Sequence, residues 1–358
     1  MSKTDKKNQH YIPKFYLRNF SYKGNGKQIG IFILKNQFYY KNTKLKTQGS
    51  KNFFYGTDGV LEDKLSEVEG VLATGIKNSI ENKWTPTKES EEHIDLLIFV
   101  ALTHLRNPVA INNSINNMEL LREKLLEIHP DTDVDKMAPK ISHEEALDQS
   151  MASLGYTIEN MLDLEYKLLI NKTSTPFIAS DFPVVKLNQF LESRNWKHGK
   201  TGYGNMGLQI YIPINDTTAY FLYDPAIYKV GFKKNNYLNL TENSDIDKLN
   251  MAQILNCHET IFFNERISKH YIEMLYSNSV GFQKANTETI GVHGLVESER
   301  NEKSNLLILG NTDVEIKLQI NGIKILPNAK FIKLGSKVAQ LRTRPSQLMD
   351  EKYAKAEQ

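Results

Sequence analysis

The sequence predicts an α+β fold with a basic N-terminal β element, a helical middle layer and a largely antiparallel C-terminal sheet. Three patterns along the chain support this prediction. Runs of β-branched and aromatic residues come first, apolar residues at 3.6-residue spacing follow, and short strand-like runs return in the second half. The hydrophobic content of 40% and charged content of 24% are typical of a globular protein with a sizeable core.

The N-terminal segment is expected to be extended, with turns. Ile29 to Leu34 and Gln37 to Tyr40 have the composition of strands and are joined by a short Lys-Asn link. A glycine-rich turn is predicted from Tyr22 to Lys27.

The middle of the chain is predicted to be helical. Apolar residues recur at helical spacing from Leu61 to Ile80, and Ser90 is a suitable N-cap for a second helix that is apolar nearly all round. Asn107-Pro108 is expected to interrupt that helix. We expect a third helix from about Ser114 to Ile128 and a long helix from Ser142 to the mid-160s.

The second half is predicted to contain mostly strands. The predicted elements are a strand pair Lys167 to Asn171 with Phe177 to Ala179, a hairpin Gln209 to Ile214 with Ala219 to Tyr223, helices Asp245 to Leu255 and Glu265 to Leu275 around a strand Thr260 to Phe263, and strands Leu306 to Leu309, Val314 to Gln319 and Ile323 to Leu326. Asn321-Gly322 is a strong hairpin signal between the last two.

We divide the 358 residues into a main α+β domain (1–275), a β-rich C-terminal extension (276–340) and a polar, frayed tail (341–358). The single cysteine, Cys257, excludes an internal disulfide. The polar N-terminus does not resemble a secretory signal, and the longest apolar run, Leu96 to Leu102, is too short to cross a bilayer. A cytoplasmic protein without a membrane partner is therefore expected.

Charge is distributed very unevenly along the chain. Between Lys6 and Thr57 there is no acidic residue, and ten lysines with Arg18 give this stretch a charge of +11. Between Asp58 and Glu165 there are 22 acidic and 9 basic residues, which gives −13. Such segregation favours either a polyanionic partner or contact between the two parts of the chain.

Two motifs resemble those of a known family. The first runs from Gln9 to Phe20 (QHYIPKFYLRNF), and the second is Phe177 to Val184 (FIASDFPV). Together with Arg106-Asn107-Pro108 and the proline-containing run Tyr211 to Ile214, they resemble the uncharacterised family named domain of unknown function 4238. The resemblance covers roughly residues 8 to 270 and implies no established activity.

The opening motif suggests phosphodiester chemistry. His10 lies among cations that disfavour its charged form, so it would be neutral and able to accept a proton. Arg18 offers a planar donor fork for phosphate, and Asp181 at a strand end is suited to orienting His10. We therefore predict His10, Arg18 and Asp181 as catalytic residues. Their convergence with Arg106 in one cleft would favour catalysis.

A nucleic-acid contact surface is the companion prediction. Twelve aromatic residues and eleven cations in the N-terminal stretch suit a strand whose phosphates meet cations and whose bases stack on rings. We assign this role to Tyr11, Lys14, Arg106 and Lys200. Lys200 belongs to a glycine-rich loop, Gly199 to Gly207, that lacks the spacing of a Walker loop.

The same residues also fit structural roles. The aromatic side chains of the opening motif would anchor the N-terminus in the core, Ser180 and Asp181 would cap a turn, and the lysines would pair with the acidic helices. Glu62 and Glu69, two turns apart, fit a solvated helix flank, or else a metal-binding or acid–base pair. No metal set and no particular cofactor are specified by the sequence.

The sequence thus favours a nucleic-acid-acting protein, an RNase or DNase effector of bacterial defence or toxin type. Two alternatives stay open. One is a non-enzymatic binding or sensor module with a protein partner in a multi-protein system. The other is an enzyme acting on a small anionic substrate through Arg18, Arg106 and Asp181.

Overall fold

The computed structural model describes residues 7–196, 199–285, 288–297, 303–335 and 340–356. Within these ranges the strands are β1 (Asn8–His10), β2 (Gln28–Ile33), β3 (Phe38–Lys44), β4 (Ser50–Asn52), β5 (Glu165–Asn171), β6 (Ala179–Ser180), β7 (Val185–Leu187), β8 (Gln209–Pro213), β9 (Thr218–Tyr223), β10 (Tyr228–Val230), β11 (Tyr237–Leu240), β12 (Thr260–Phe263), β13 (Glu288–Glu297), β14 (Lys303–Asn311) and β15 (Ile323–Ile325).

Helices alternate with these strands and fill most of the first half. They are α1 (Lys14–Arg18), α2 (Val60–Asn82), α3 (Glu91–Leu105), α4 (Pro108–Ile128), α5 (Val134–Met137), α6 (His143–Ala152), α7 (Leu154–Glu159), α8 (Gln189–Glu192), α9 (Asn243–Asn256), α10 (Lys269–Ser279) and α11 (Thr343–Ala356). Helices and mostly antiparallel sheets together confirm the α+β class.

A four-stranded antiparallel sheet carries the N-terminal hairpin. Its order is β3-β2-β12-β6, so the predicted strands around the Lys-Asn link do pair, with Ile31 opposite Tyr40. On the other side of β2, Phe262 of β12 faces Ile31. Two β-rich runs that are separated by a short polar link favour such a hairpin, and β12 adds the long-range partner that buries β2.

The larger sheet has the order β11-β5-β9-β8-β7 and is antiparallel except for the β11–β5 pair. Both faces of β9 are buried, since Tyr220 and Leu222 pack in one core cluster and Phe221 in another. The predicted β8–β9 hairpin is confirmed. Its turn is held by the Asn215 side chain, which accepts hydrogen bonds from the backbone N–H groups of Thr217 and Thr218.

The predicted pairing of Lys167 to Asn171 with Phe177 to Ala179 is wrong. The two runs belong to different sheets, because β5 pairs with β9 and β11 whereas β6 pairs with β12. The turn between them therefore carries the chain from one sheet to the other, which no local pattern in the sequence indicates.

The opening motif contains a short helix that the extended interpretation missed. Pro13 fixes the backbone just before α1, and the helix turns Tyr16 and Leu17 into the core, where both are fully buried. The aromatic anchoring expected as the structural alternative is therefore present for part of the motif. The preceding strand, β1, pairs with β4, and His10 lies opposite Ser50.

Capping residues fix the helical middle layer. The Ser90 hydroxyl accepts from the His93 N–H at the start of α3, and the Asn107 side chain accepts from Val109 N–H with Pro108 at the first position of α4. The predicted interruption at Asn107-Pro108 is thus confirmed, although α4 begins there and not near Ser114. The long helix expected from Ser142 is wrong in length, because it breaks at Ser153 into α6 and α7.

The C-terminal extension packs on the larger sheet. The run 314–320 is not a strand, but its alternate residues are buried in the same core cluster as Phe221 of β9. They are Val314, Ile316, Leu318 and Ile320. The hairpin predicted at Asn321-Gly322 is wrong, because β15 pairs with β10 instead. Gly322, at φ 86°, accepts a hydrogen bond from Gly231 N–H and packs so closely on Leu238 that a side chain there would clash.

The polar tail is not frayed over the part that the structure describes, because Arg342 anchors it before α11. Arg342 is buried and donates through Nε to Asp163 Oδ2 at 2.9 Å, and through Nη1 to the Asn205 carbonyl at 2.8 Å. Its Nη2 donates to the Tyr203 carbonyl at 2.9 Å and to that of Asn160. One guanidinium thus joins the tail to two loops of the main domain.

Arg342→Ala should lower the free energy of unfolding by about 3 kcal/mol, since it leaves Asp163 and three carbonyls without their donor. Urea unfolding followed by circular dichroism measures the loss. The neighbouring exposed Arg344→Ala is the matched control and should cost little. Equal losses in the two variants would show that the tail is not anchored in this way.

Candidate functional site

His10 occupies a buried position at the end of β1. Its side chain is 4% exposed, and neither ring nitrogen has a hydrogen-bond partner among the described residues. Burial lowers the pKa of His10 to about 4, with further lowering by Lys14 and Arg106. The backbone of Lys46 has the opposite effect and raises the pKa of His10. The sequence predicts a neutral imidazole at His10, and the lowered pKa agrees with this prediction. Burial is the largest cause of the lowering.

Arg106 is close enough to lower the pKa of His10, and it is equally enclosed. Its guanidinium is 1% exposed, and Nη1 donates to Glu69 Oε1 at 2.8 Å, while Nε has no hydrogen-bond partner among the described residues. Tyr55 joins the two, because its hydroxyl donates to the His10 carbonyl at 3.1 Å. Burial raises the pKa of Tyr55, and the nearby Arg106 guanidinium lowers it. We call these four residues, His10, Tyr55, Glu69 and Arg106, the His10–Arg106 cluster.

Asp181 serves the backbone of a different segment. Its carboxylate accepts from the N–H groups of His258, Glu259 and Thr260 at 2.8–3.0 Å and from the Cys257 thiol at 3.4 Å. Burial raises the pKa of Asp181, and these four donors act in the opposite direction. The carboxylate therefore fixes the turn before β12, as the capping alternative proposed, and does not bond to His10.

Side-chain amides of α9 hold the whole Ser180-Asp181-Phe182-Pro183 segment. Gln253 accepts from the Ser180 N–H and hydroxyl and donates to the Pro183 carbonyl, and Asn256 donates to the Phe182 carbonyl. The Asn107 amide donates to the Asp181 carbonyl at 2.7 Å from the start of α4. These bonds pair the polar backbone groups of a buried segment that has little regular structure.

The remaining predicted residues lie apart from one another. Arg18 ends α1, is exposed and packs beside Gly26, and it is not among the charges that shift the His10 pKa. Lys14 is exposed but close enough to act on His10. Tyr11 is partly buried. Burial is the largest cause that raises its pKa, and the charge of Asp181 raises it further. The structure thus brings His10 together with Lys14 and Arg106, but not with Arg18.

Lys200 belongs to a second region, a cavity of about 850 Å³. It forms an ion pair with Glu315, and the neighbouring Thr201 hydroxyl donates to Asp313. Lys186 and His104 also line this cavity. Lys186 was missed at the sequence level because one lysine three residues after a Phe-Pro turn carries no local signal. Asp313 and Glu315 were missed because they come from the extension, more than a hundred residues away.

Comparison with known proteins identifies the family of this chain. Residues 8–266 match the model of a family described as Protein of unknown function (DUF4238). The chain belongs to this family. The match confirms the resemblance of the two motifs, and it contains the whole His10–Arg106 cluster. Neither the curated proteins nor the solved structures include a match.

Two further observations concern metals and membranes in this DUF4238 chain. Among the residues that the structure describes, no group of three or more His, Cys, Asp or Glu side chains could hold a metal ion. No single described helix has the length and apolar character to cross a bilayer, and α3 with α4 reaches that criterion only as a pair bent by 58°.

Acid should destabilise the protein partly through His10. An unfolded chain binds a proton on His10 below a pH of about 6.5, whereas the folded protein does so only near pH 4. The free energy of unfolding should therefore fall as the pH falls through this window. Between pH 7 and pH 5, His10→Gln should lose roughly 2 kcal/mol less than the wild type.

Urea unfolding at both pH values gives the comparison, and the exposed His270→Gln is the control for loss of a histidine elsewhere. If the wild type and His10→Gln lose the same amount, the imidazole is not buried in its neutral form.

Proposed function

We propose that this DUF4238 protein binds single-stranded nucleic acid on a surface formed by its N-terminal lysines. The nine described lysines of the basic stretch are all exposed, and none of them lies within 4.0 Å of a carboxylate in the described part of the chain. They are Lys7, Lys14, Lys23, Lys27, Lys35, Lys41, Lys44, Lys46 and Lys51. A row of unpaired cations is suited to phosphates, since contacts with them release condensed counterions.

Exposed rings lie on the same segment. Phe38 is 54% and Tyr40 46% exposed, and the two rings stack at a centroid distance of 5.9 Å. Phe53 is also exposed, whereas the other aromatic residues of the stretch are buried or partly buried. Large rings left in water beside cations provide faces on which unpaired bases can stack. This preference for unpaired bases is why a single strand is proposed and not a duplex.

The topology places these residues on connected elements. Phe38, Tyr40, Lys41 and Lys44 lie on β3, an edge strand, and the chain then runs through Lys46 into β4. β4 pairs with β1, so Lys51 lies opposite Gln9. The turn at Lys46 also contacts α1, which carries Lys14. We call Lys14, Lys41, Lys44, Lys46 and Lys51, with Phe38 and Tyr40, the lysine face.

The nuclease part of the hypothesis depends on His10 and stays a prediction. His10 and Arg106 present three buried nitrogens without hydrogen-bond partners among the described residues, which suits a general base beside a phosphate-binding cation. Both side chains are enclosed, so a substrate would reach them only after a local opening. Strand binding on the exposed lysines needs no such opening. An effector role in the cytoplasm belongs to the same proposal. The buried free thiol of Cys257 fits the reducing conditions of that compartment.

A fluorescently labelled 20-nucleotide RNA and its DNA counterpart, single-stranded and duplex, test the proposal by anisotropy. We expect binding that weakens steeply with salt and prefers single strands. Phe38→Ala with Tyr40→Ala should weaken it by about 1–3 kcal/mol per base stacked. Lys41→Gln with Lys44→Gln should weaken it and make the salt dependence shallower by about two ions.

Phe232, Lys233 and Lys234 provide the matched control, because they are an exposed aromatic residue and two exposed lysines elsewhere on the surface. Phe232→Ala with Lys233→Gln and Lys234→Gln should bind as the wild type does. Absence of binding at low salt, or equal losses in control and lysine-face variants, would refute the proposal. Strand cleavage that His10→Gln abolishes would support the nuclease prediction as well.

A further inference from the structure

The 850 Å³ cavity lies where the DUF4238 region meets the residues that follow it. One wall comes from the end of α3, from α4, and from Phe182 and Lys186. Other lining residues come from the extension, including Gln283, Asn311 and Asp313. Its volume falls in the range of small-molecule sites, and it does not include the residues of the lysine face.

Side-chain amides make up part of its polar lining. Six of them contribute, namely Asn113, Asn117, Asn195, Asn256, Gln283 and Asn311. Asn117 Nδ2 donates to Asn311 Oδ1 at 3.1 Å, and the other amide atoms of this pair, Asn117 Oδ1 and Asn311 Nδ2, are buried and without a partner among the described residues. An amide acceptor and an amide donor without partners are complementary to the edge of a nucleobase, which presents the same two kinds of group.

Planar side chains accompany the amides. The His104 and Phe182 rings lie 4.8 Å apart, and Trp196 lines the same cavity. His104 Nδ1 is buried and has no hydrogen-bond partner among the described residues. Rings of this kind are suited to stacking on a flat aromatic ligand. An inorganic anion or a short aliphatic acid would not use the rings.

One lysine that lines the cavity forms no ion pair within the described part of the chain. Lys200 is paired with Glu315, and Asp313 accepts from the Thr201 hydroxyl. Lys186 forms no ion pair with the described residues, and its Nζ lies 4.9 Å from the centre of the Tyr203 ring. Burial lowers the pKa of Lys186, while Asp313 raises it. A bound phosphate would supply the full negative partner that this ammonium lacks.

We propose that this cavity binds a mononucleotide, with the base against the Asn117–Asn311 pair and the rings, and the phosphate at Lys186. The proposal does not depend on the lysine face, because the two sets of residues are separate. It also gives the extension a role, since Gln283, Asn311 and Asp313 complete the site.

Tryptophan fluorescence offers a direct test. The chain has two tryptophans, and Trp84 does not line the cavity, so Trp84→Phe leaves Trp196 as the only reporter. The probes are AMP, GMP, CMP and UMP, with the four nucleosides and inorganic phosphate for comparison. We expect a saturable change with at least one nucleotide, binding about tenfold or more weaker for its nucleoside, and no change with phosphate.

Variants on separate elements identify the site. Lys186→Gln on β7 and Asn117→Ala on α4 should each weaken nucleotide binding about tenfold or more. The exposed Lys229→Gln on β10 is the control, and Lys41→Gln with Lys44→Gln should also leave nucleotide binding unchanged. If one cavity variant fails to fold by circular dichroism, the other decides.

Three results would overturn the proposal. They are a lack of saturable change with all four nucleotides, an equal change with inorganic phosphate alone, and cavity variants that bind as well as Lys229→Gln does. Failure of strand binding by the lysine face would leave this test unaffected.

Discussion

The buried carboxylate of Asp181 is the constraint on which both candidate regions depend. A charge removed from water is costly unless donors replace its hydration, and here three backbone N–H groups and a thiol surround it. The same residue accepts an amide hydrogen bond from Asn107 through its carbonyl. Asp181 therefore links the turn before β12, the crossing between the two sheets, and the junction of α3 with α4.

That linkage sets the positions of the groups on either side. Arg106 immediately precedes Asn107 and points into the cluster with His10, Tyr55 and Glu69. His104 lies two residues earlier and, with Phe182, lines the cavity. The end of one helix thus supplies a cation to one region and an imidazole to the other. Burial keeps both His10 and His104 neutral, because it lowers their pKa values.

Local signals in the sequence predicted much of the fold. The Ser90 cap, the Asn107-Pro108 junction and the β8–β9 hairpin were predictable because each depends on neighbours within a few residues. The pairing of β6 with β12 and of β15 with β10 was not, since strand partners far along the chain leave no local pattern. The local pattern at Asn321-Gly322 predicts the wrong structure, because Gly322 packs against Leu238 and does not close a hairpin.

The candidate site was predictable in part for the same reason. The motif chemistry indicated His10, Arg106 and Asp181, and burial beside cations does lower the His10 pKa. It could not show that Asp181 bonds to the 257–260 turn, that Arg18 faces solvent, or that Tyr55 and Glu69 complete the cluster. Those facts depend on which elements the tertiary fold brings together.

Amide hydrogen exchange at His258, Glu259 and Thr260 tests the role of Asp181 most directly. The three N–H groups bond to its carboxylate, so they should be protected in the wild type. In Asp181→Asn they should exchange much faster, while the amide of Leu222 in the larger sheet keeps its protection. Equal exchange at these three amides in the wild type and the variant would contradict the account.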